Sequence, residues 1–250
     1  MQDSNNFEHS DRGDASAHAP AAPAAEPVRR DAEVYVQPIM LLVDKTSPAA
    51  HIDAVHAAAL ASVLAFAGES LSCENPDPSW EAWLSGPFTK SVRRADAKTF
   101  EKLALKFAGE EHADIHIGKA RAIAFRPTTY GSMSRHLSKL QVSGTDLPER
   151  ATDHRVSAPE GSPVLVINES LKMSSGKAGA QAGHALFAWY LSLETPARRA
   201  WYNDGCQFRV IFAEQEAFES FAEAVPERLQ IVDNGLTEIA PGTATAFVMA

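Results

Sequence analysis

Cysteines, long apolar runs and an excess of basic residues are all scarce in this chain of 250 residues. Its 2 cysteines, Cys73 and Cys206, are too few for a disulfide framework and favour a reducing compartment. No apolar run approaches the roughly 18 to 20 residues of a membrane span, and the first residues are polar and acidic where a secretory signal is basic and then apolar. We therefore expect a cytoplasmic protein without a membrane partner.

The charge balance excludes another class, the proteins that attract nucleic acid through their overall charge. The chain carries 23 Lys and Arg against 32 Asp and Glu, a formal net charge of −9. Attraction to a polyanion must therefore depend on a local basic surface. Hydrophobic residues make up 45% of the chain, enough to build one large domain or two small ones.

Two polar segments divide the chain. Residues 1–30 contain few large apolar side chains and repeat Ala and Pro, which predicts a disordered tail. Residues 141–162 lack aromatic side chains and are rich in charge, as in a linker or a solvated connection. The sequence therefore predicts two domains, at 31–140 and 163–250.

The two predicted domains show the same succession of local patterns. Each begins with a short buried strand, continues into an alanine-rich helix and a tryptophan-containing segment, and then has a strand, an amphipathic helix and two short strands. In the first half these elements lie at 38–43, 51–66, 88–92, 97–107, 114–118 and 121–125, and in the second at 163–167, 177–193, 207–212, 216–225, 230–232 and 245–249. We expect an α/β protein of two similar βααβαββ domains, each a small mixed sheet flanked by helices, related by internal duplication.

The start of the alanine-rich helix in the second half carries one group of polar side chains. Lys177, Gln181 and His184 follow one another at i, i+4 and i+7, which puts them on one helix face. Gly176 lets another chain or a ligand approach the backbone closely. Since a lysine at a helix start opposes the helix dipole, Lys177 indicates a negative charge nearby, unless its side chain extends into water.

A second group lies near the end of the chain. Asp233, Thr237, Thr243 and Thr245 fall on a predicted strand, turn and strand, and the pairs Asn-Gly and Pro-Gly between them favour turns. Carboxylate, hydroxyl, amide and ammonium groups can thus meet at the sheet edge where the alanine-rich helix starts.

These two regions carry a family resemblance. LKMSSGKAGAQAGHA at 171–185 and IVDNGLTEIAPGTATAFVM at 231–249 resemble the two signature regions of the type 2 peptidyl-tRNA hydrolases, in the same order and at a matching separation. The resemblance covers the second half and implies hydrolysis of the ester between a peptidyl (or N-blocked aminoacyl) group and the terminal ribose of tRNA. It also implies a role in translation and ribosome rescue, by recycling stalled peptidyl-tRNA, without a metal or another cofactor.

The resemblance also assigns site residues. It places the family's catalytic residues at Lys177, Gln181, Asp233, Thr237 and Thr245. His184, Gly176 and Thr243 are further candidates for the same site.

Two departures from the family pattern leave a second interpretation open. The arginine and aspartate that family members often have before the Gly-Lys pair are here Asn168 and Ser170, and the usual C-terminal Gly-Ile-Gly-Pro is replaced by residues 247–250. If these changes disable hydrolysis, the chain would be a non-catalytic RNA- or protein-binding module on the same fold. A third interpretation keeps ester hydrolysis but takes another acylated ribose or an N-blocked amino-acid ester as the substrate.

The residue types themselves suit ester hydrolysis by water. Asp233 can orient or deprotonate a water that Thr237 helps to hold, while Lys177 can face either the oxyanion or the terminal phosphate. The sequence indicates no base beside a serine or cysteine, which favours direct attack by water over an acyl-enzyme.

The first half lacks these groups but is rich in basic residues. Its helix, aligned with that of the second half, has His51, Val55 and Ala58 where the second has Lys177, Gln181 and His184, so we expect no catalysis there. Residues 90–139 hold 11 Lys and Arg against 5 Asp and Glu, a net charge of +6, whereas residues 163–250 hold 6 against 10, a net charge of −4. The predicted tRNA-binding residues are Lys90, Arg93, Arg94, Lys98 and Lys172.

The family's common pairing of identical subunits leads to an expectation for the whole chain. We expect a monomer whose two halves replace such a dimer, with a homodimer as the alternative.

The basic stretch at 90–139 has a second explanation besides tRNA binding. Ordinary solvated lysines on a helix face explain it equally well.

Overall fold

The computed structural model describes residues 33–110, 112–148, 158–235 and 238–250. Within the described part, the chain from Asp31 onward belongs to one compact unit. The expected disordered tail at 1–30 and the predicted catalytic Thr237 lie outside the described residues.

The first half forms a sheet in the order β2-β1-β4-β3, with β5 paired to β1. Strand β1 runs parallel to β2 and antiparallel to β4, and β3 runs antiparallel to β4. Its elements are β1 (Tyr35–Leu42), α1 (His51–Ser72), α2 (Pro78–Leu84), β2 (Thr89–Ala95), α3 (Ala97–Phe107), β3 (His112–Ile117), β4 (Ala120–Phe125), β5 (Thr128–Thr129) and α4 (Arg135–Ser138).

The second half forms a separate sheet in the order β7-β6-β9-β8. Strand β6 is parallel to β7 and antiparallel to β9, and β8 is antiparallel to β9. Its elements are β6 (Val164–Asn168), a 3₁₀ turn (Glu169–Leu171), α5 (Ser175–Ser192), α6 (Thr195–Asn203), β7 (Arg209–Ala213), α7 (Gln215–Ala222), a second 3₁₀ turn (Glu227–Leu229), β8 (Ile231–Asp233) and β9 (Thr243–Met249).

The two sheets have the same strand order and the same strand directions. The expected fold class, two similar βααβαββ units with mixed sheets, is confirmed. The registers also match, because Leu41 pairs with Ala122 and Arg94 in the first sheet as Ile167 pairs with Ala246 and Phe212 in the second.

The tryptophan-containing segments make the same contact in both halves. The indole nitrogen of Trp83 donates to the carbonyl of Thr89 at 2.7 Å, and that of Trp201 donates to the carbonyl of Gln207 at 3.0 Å. Before each of these carbonyls stands a residue with positive φ, Phe88 or Cys206. The two segments therefore correspond residue by residue, six positions apart in each pair.

Each sheet buries one face on a long helix and the other on a short one. In the first sheet Ile39 and Leu41 pack toward α1, whereas Val36 and Met40 pack toward α3. In the second sheet Leu165 and Ile167 pack toward α5, whereas Val164 and Val166 pack with Phe218 of α7. This alternation is what a strand buried on both faces requires.

The two long helices also pack against each other. A Cβ atom added to Gly179 would lie 3.1 Å from the Cβ atom of Ala58, so small residues bring α1 and α5 close together. Phe66 of α1 packs against Phe187 and Tyr190 of α5. One cluster of buried residues therefore includes side chains from both halves.

Helix α1 is longer and more apolar than the sequence pattern predicts. By length and composition His51–Ser72 could cross a membrane, but 67% of its apolar stretch is buried inside the protein. Contacts with the first sheet and with α5 account for this burial, as for the core helix of a folded domain.

The described part of the expected linker, residues 141–148, is a strap across the start of α5. Thr145 and Leu147 are buried. The carbonyl of Thr145 accepts from the backbone N–H of Gly176 at 3.4 Å, and the backbone N–H of Leu147 donates to the hydroxyl of Ser175 at 3.0 Å. This segment is therefore attached to the start of α5 at Thr145 and Leu147, while its other residues are exposed.

Candidate active site

Lys177 and Gln181 converge on one carboxylate oxygen. The Lys177 ammonium donates to Oδ2 of Asp233, and the Gln181 amide nitrogen donates to the same oxygen at 2.5 Å. Both side chains come from one face of α5, and Asp233 is the last residue of β8. The helix spacing predicted from the sequence therefore aims two donors at a single acceptor.

The turn after β8 fixes the other oxygen of this carboxylate. The backbone N–H of Gly235 donates to Oδ1 of Asp233 at 2.7 Å, and the N–H of Gly242 donates to the Asp233 carbonyl at 2.8 Å. Gly235 has a φ of +75°, which glycine adopts without strain. Asp233 is only 4% exposed, so these contacts replace most of its hydration.

The two described threonines lie on β9 beside this turn. Thr243 pairs with Asp233 in the ladder between β8 and β9. Thr245 is fully buried and donates its hydroxyl proton to the carbonyl of Ile231 at 3.0 Å. Thr245 of β9 therefore bonds the first residue of β8, the strand that ends at Asp233.

The start of α5 is capped from two sides. The Ser174 hydroxyl accepts from the backbone N–H of Lys177 at 3.4 Å and donates to the carboxylate of Glu238 at 2.6 Å. The carboxylate of Glu238 also accepts from the N–H of Ser174 at 3.0 Å. Gly176 lies under the strap, where a Cβ atom would be 3.5 Å from Thr145, so its backbone is covered.

His184 lies on the Lys177 face of α5 and against Phe88, whose ring centroid is 5.1 Å away. Burial, and then the charges of Lys90 and Lys177, hold the pKa of His184 well below its ordinary value. The imidazole is therefore neutral at physiological pH.

One pair of side chains is absent from the sequence interpretation. Nδ1 of His51 and the hydroxyl of Ser175 are 2.8 Å apart, so a serine does have a histidine partner. Ser175 is fully buried and also accepts from the strap, which indicates a structural role. Because residues two apart on a helix do not share a face, this pair does not point toward Lys177.

A cavity of about 170 Å³ adjoins His51 at the carboxyl ends of β6 and β7. Asp146, Asn168, Lys172 and Phe212 also line it. Two hydrogen bonds fix the side chain of Asn168. Its amide nitrogen donates to Oε1 of Gln215 at 2.9 Å, and its Oδ1 accepts from the backbone N–H of Ser170 at 3.1 Å. The departures at Asn168 and Ser170 therefore leave an ordered loop.

The predicted tRNA-binding residues fall into two groups. Lys90 and Arg93 are buried at 8% and 6% exposure, and Arg93 donates to the carbonyls of Ser138 and Leu140 at the end of α4. Lys90 and Arg93 therefore do not contribute to an exposed basic surface, because both side chains point into the protein.

The others reach the surface. Arg94 donates to the carbonyl of Gly144 and to Gln141, which attaches the strap. Lys98 is exposed on α3. Lys172 is exposed and pairs with Glu169 at 2.9 Å.

The first half has different residues at the corresponding places. Because α1 begins at His51 as α5 begins at Ser175, the position of Lys177 corresponds to Asp53 rather than to His51. The matching registers place Gly118 where the second half has Asp233. A lysine–aspartate pair is therefore absent from this part of the first half.

Metal ligands do not cluster in the described ranges: no three His, Cys, Asp or Glu residues there come together to hold an ion. The polar groups at the site are one carboxylate, one ammonium, one amide and hydroxyls. Such a set can orient water and stabilise an oxyanion.

Sequence comparisons identify relatives of the second half. The family model described as "Peptidyl-tRNA hydrolase PTH2" matches residues 162–250. A peptidyl-tRNA hydrolase of Thermococcus sibiricus is 38% identical in an alignment of 95 residues that covers 34% of this chain and 80% of the relative. Similar relatives occur in Thermococcus onnurineus, at 37% over 95 residues (34% and 80%), and in Methanocaldococcus jannaschii, at 36% over 95 residues (34% and 82%).

The matched region contains every described residue of the Lys177–Asp233 site. It begins just before β6 and ends with the chain, so it comprises the whole second sheet and its helices. Most of each relative is covered by that region alone. The chain therefore belongs, through its second half, to the PTH2 family of peptidyl-tRNA hydrolases.

Proposed function

We propose that the second half hydrolyses the ester between a peptidyl, or N-blocked aminoacyl, group and the terminal ribose of tRNA. The observation that carries this proposal is the convergence of Lys177 and Gln181 on Oδ2 of Asp233. The family relationship supports the substrate class.

The attacking water is activated by Asp233. Its carboxylate is held at both oxygens and buried, so it presents a fixed lone pair to a water molecule. Oε1 of Gln181 is buried without a hydrogen-bond partner among the described residues and is a second acceptor for that water. The water oxygen attacks the ester carbon while one proton passes to Asp233.

Lys177 stabilises the charge that develops next. When the substrate enters, the ammonium of Lys177 leaves Asp233 and faces the oxyanion of the tetrahedral intermediate. Collapse of the intermediate breaks the bond to the ribose oxygen, which takes the proton back from Asp233. The products are the free peptide and deacylated tRNA.

The first half serves this reaction without catalysing it. We interpret it as a diverged, inactive copy produced by internal duplication, and residues 31–140 and 163–250 as two domains of a monomer. Exposed Lys98, Lys102 and Lys106 on α3 and the guanidinium of Arg94 supply the positive field that the second half lacks. The resulting cytoplasmic enzyme would recycle tRNA in ribosome rescue.

The test compares two substrates and two variants. We expect release of tRNA from N-acetylaminoacyl-tRNA but not from unblocked aminoacyl-tRNA, and a loss on the order of 100-fold or more in kcat for Asp233→Ala. Asp204→Ala, a change of an exposed aspartate in the same half, is the matched control and should keep full activity.

The alternative function has its own signature. A wild-type chain that hydrolyses neither substrate but binds tRNA in a salt-dependent way would be a binding module. The departures at Asn168 and Ser170 would then be the first positions to restore.

A further inference from the structure

The first residues of the two long helices meet at the contact between the halves. Nδ1 of His51, the first residue of α1, lies 2.8 Å from the hydroxyl of Ser175, the first residue of α5. Both side chains are buried, and Ser175 is 0% exposed. The same hydroxyl accepts from the backbone N–H of Leu147 in the strap at 3.0 Å. One hydroxyl of the second half is therefore bonded both to α1 and to the strap.

The strap is attached to the first half at both of its described ends. Near its start, the backbone N–H of Arg94 in β2 donates to the carbonyl of Gln141 at 2.9 Å, and the guanidinium of Arg94 donates to the carbonyl of Gly144 at 2.8 Å. At its other end, the carbonyl of Pro148 accepts from the backbone N–H of His51 at 3.1 Å. The strap therefore joins β2 to α1 and holds the start of α5 between them.

The strap also holds the residue that follows Ser175. The backbone N–H of Gly176 donates to the carbonyl of Thr145 at 3.4 Å. A Cβ atom added to Gly176 would lie 3.5 Å from the Cβ atom of Thr145 and 3.5 Å from the carbonyl oxygen of Val142, so the strap lies directly over the helix backbone. Two consecutive residues at the start of α5 are thus fixed from outside the helix.

The hydroxyl of Ser175 is not needed to form the helix. Ser174 is the N-cap of α5, and its side chain accepts from the backbone N–H of Lys177. An alanine at position 175 would have the higher helix propensity and would bury no hydroxyl that needs partners. The role of this hydroxyl therefore lies in its bonds to His51 and to the strap.

These bonds reach the active site through the backbone. The side chain of Ser175 points away from Lys177, because residues two apart on a helix do not share a face. Ser175 instead restrains the first turn of α5, and Lys177, the third residue of that helix, extends its ammonium from this turn to Asp233.

Asp233 has a separate support. The backbone N–H of Gly235 donates to its carboxylate, and the N–H of Gly242 donates to its carbonyl, so neither bond involves the first half or the strap. The alignment of Lys177 with Asp233 thus depends on two independent supports. A displacement of about 1 Å at a catalytic group can cost on the order of 100-fold in rate. The position of the first turn of α5 therefore matters to the reaction.

We propose that Ser175 is a positioning residue, through which His51 and the strap hold the first turn of α5 so that Lys177 is aligned with Asp233. This inference rests on the proposed hydrolysis for its effect on the rate. Its structural part, the restraint of the first turn, is measured without a substrate. In this arrangement the first half supports the active site of the second.

The main test is Ser175→Ala in the full chain, with Ser62→Ala as the matched control. Ser62 is also fully buried, and its hydroxyl donates to Oε1 of Gln37 at 2.6 Å. It faces α5 as well, since a Cβ atom added to Gly183 would lie 3.5 Å from the Cβ atom of Ser62. Both variants remove one buried hydroxyl at the contact between the halves, so both should lower the midpoint of urea unfolding.

The kinetic readout separates the two variants. Ser175→Ala should lower kcat on N-acetylaminoacyl-tRNA on the order of 10-fold and leave KM nearly unchanged, because Lys177 acts on a charge that is present only in the transition state. Ser62→Ala should keep the wild-type kcat.

The other side of the contact gives an independent pair of variants. His51→Leu removes the polar atom at Nδ1, whereas His51→Asn keeps an amide atom near that place. We expect His51→Leu to lower kcat in the same way and His51→Asn to restore most of it. Combining His51→Leu with Ser175→Ala should cost no more than Ser175→Ala alone, because both changes act through one contact.

The readout without substrate is backbone hydrogen exchange. Ser175→Ala removes the acceptor of the Leu147 N–H, so exchange at Leu147 and Gly176 should become on the order of 10-fold faster. Ser62→Ala should leave exchange at these two positions unchanged.

Three results would overturn the proposal. They are a wild-type kcat in folded Ser175→Ala, an equal loss of kcat in Ser62→Ala, and unchanged exchange at Leu147 and Gly176. If Ser175→Ala fails to fold, a wild-type kcat in His51→Leu, or the same loss in His51→Asn, contradicts the proposal. A wild type without hydrolase activity contradicts the proposed function, while hydrogen exchange still decides whether Ser175 restrains the first turn of α5.

Discussion

His56 is a buried histidine of α1, packed against the ring of Phe208 and 4% exposed. Burial lowers its pKa from 6.5 to about 4. The folded protein therefore binds this proton less tightly than the unfolded chain, and its share of stability is complete above about pH 6.5. We expect that share, about 3 kcal/mol, to be lost as the pH falls from about 6.5 to about 4.

Urea unfolding at a series of pH values measures this loss. His56→Leu should show a flatter dependence of the unfolding free energy on pH, with the remaining slope due in part to His184. His136→Leu, a change at an exposed histidine, should keep the wild-type slope. Equal slopes in wild type and His56→Leu would mean that His56 is hydrated in the folded state.

At this scale the sequence predicts helix faces well and burial poorly. The spacing of Lys177, Gln181 and His184 follows from helix geometry alone. The burial of Lys90 depends on how α5 packs against β2, which no local pattern encodes. The pairing of His51 with Ser175 joins residues 124 positions apart in the chain and is equally invisible to spacing.

Among the elements, the turn between β8 and β9 orients the carboxylate of Asp233, the proposed catalytic base. In Gly235→Ala the new Cβ atom would lie 2.8 Å from Cδ and 3.0 Å from the nitrogen of Pro241, in a residue with φ of +75°. The left-handed conformation alone costs roughly 1 to 2 kcal/mol. We expect a lower unfolding free energy and a drop in kcat larger than any change in KM, because the N–H that orients Asp233 moves.

Gly242→Ala separates the cost of the left-handed conformation from the effect of the collision with Pro241. Gly242 also has a positive φ, +82°, but nothing lies within 4 Å of its added Cβ atom. This variant should therefore lose stability by the conformational term alone and keep more of the kcat. If both variants lose kcat equally, the collision with Pro241 is irrelevant to the site.

The limits of the elements were predictable where the sequence carries capping signals. Helix α3 spans Ala97–Phe107 as expected, and Asp96 caps it by accepting from the N–H of Thr99 at 2.9 Å. Helix α1 extends to Ser72, beyond the expected 66, and Glu69 holds its last turns by accepting from the indole N–H of Trp80 and pairing with Arg126, both at 2.9 Å. The strap was predicted as a linker because its composition is polar, and composition does not reveal the hydrogen bonds that its backbone makes with the start of α5.

For the whole molecule, the packing of α1 on α5 predicts a monomer. The face of α5 that packs on α1 is covered by the first half of the same chain and is therefore not free to contact a second copy. Light scattering coupled to size exclusion should report the mass of one chain at all concentrations. The mass of two chains, independent of dilution, would show that another surface mediates assembly.

The matching strand registers put Lys90 of the first half at the position of Phe208 in the second, and this difference has a consequence for how such a chain can evolve. In a symmetric pair of identical subunits, every substitution at the contact occurs twice, once in each copy. Two halves within one chain escape this constraint, because each side of the contact is encoded separately. A buried amine can then stand on one side of the contact and a phenyl ring on the other.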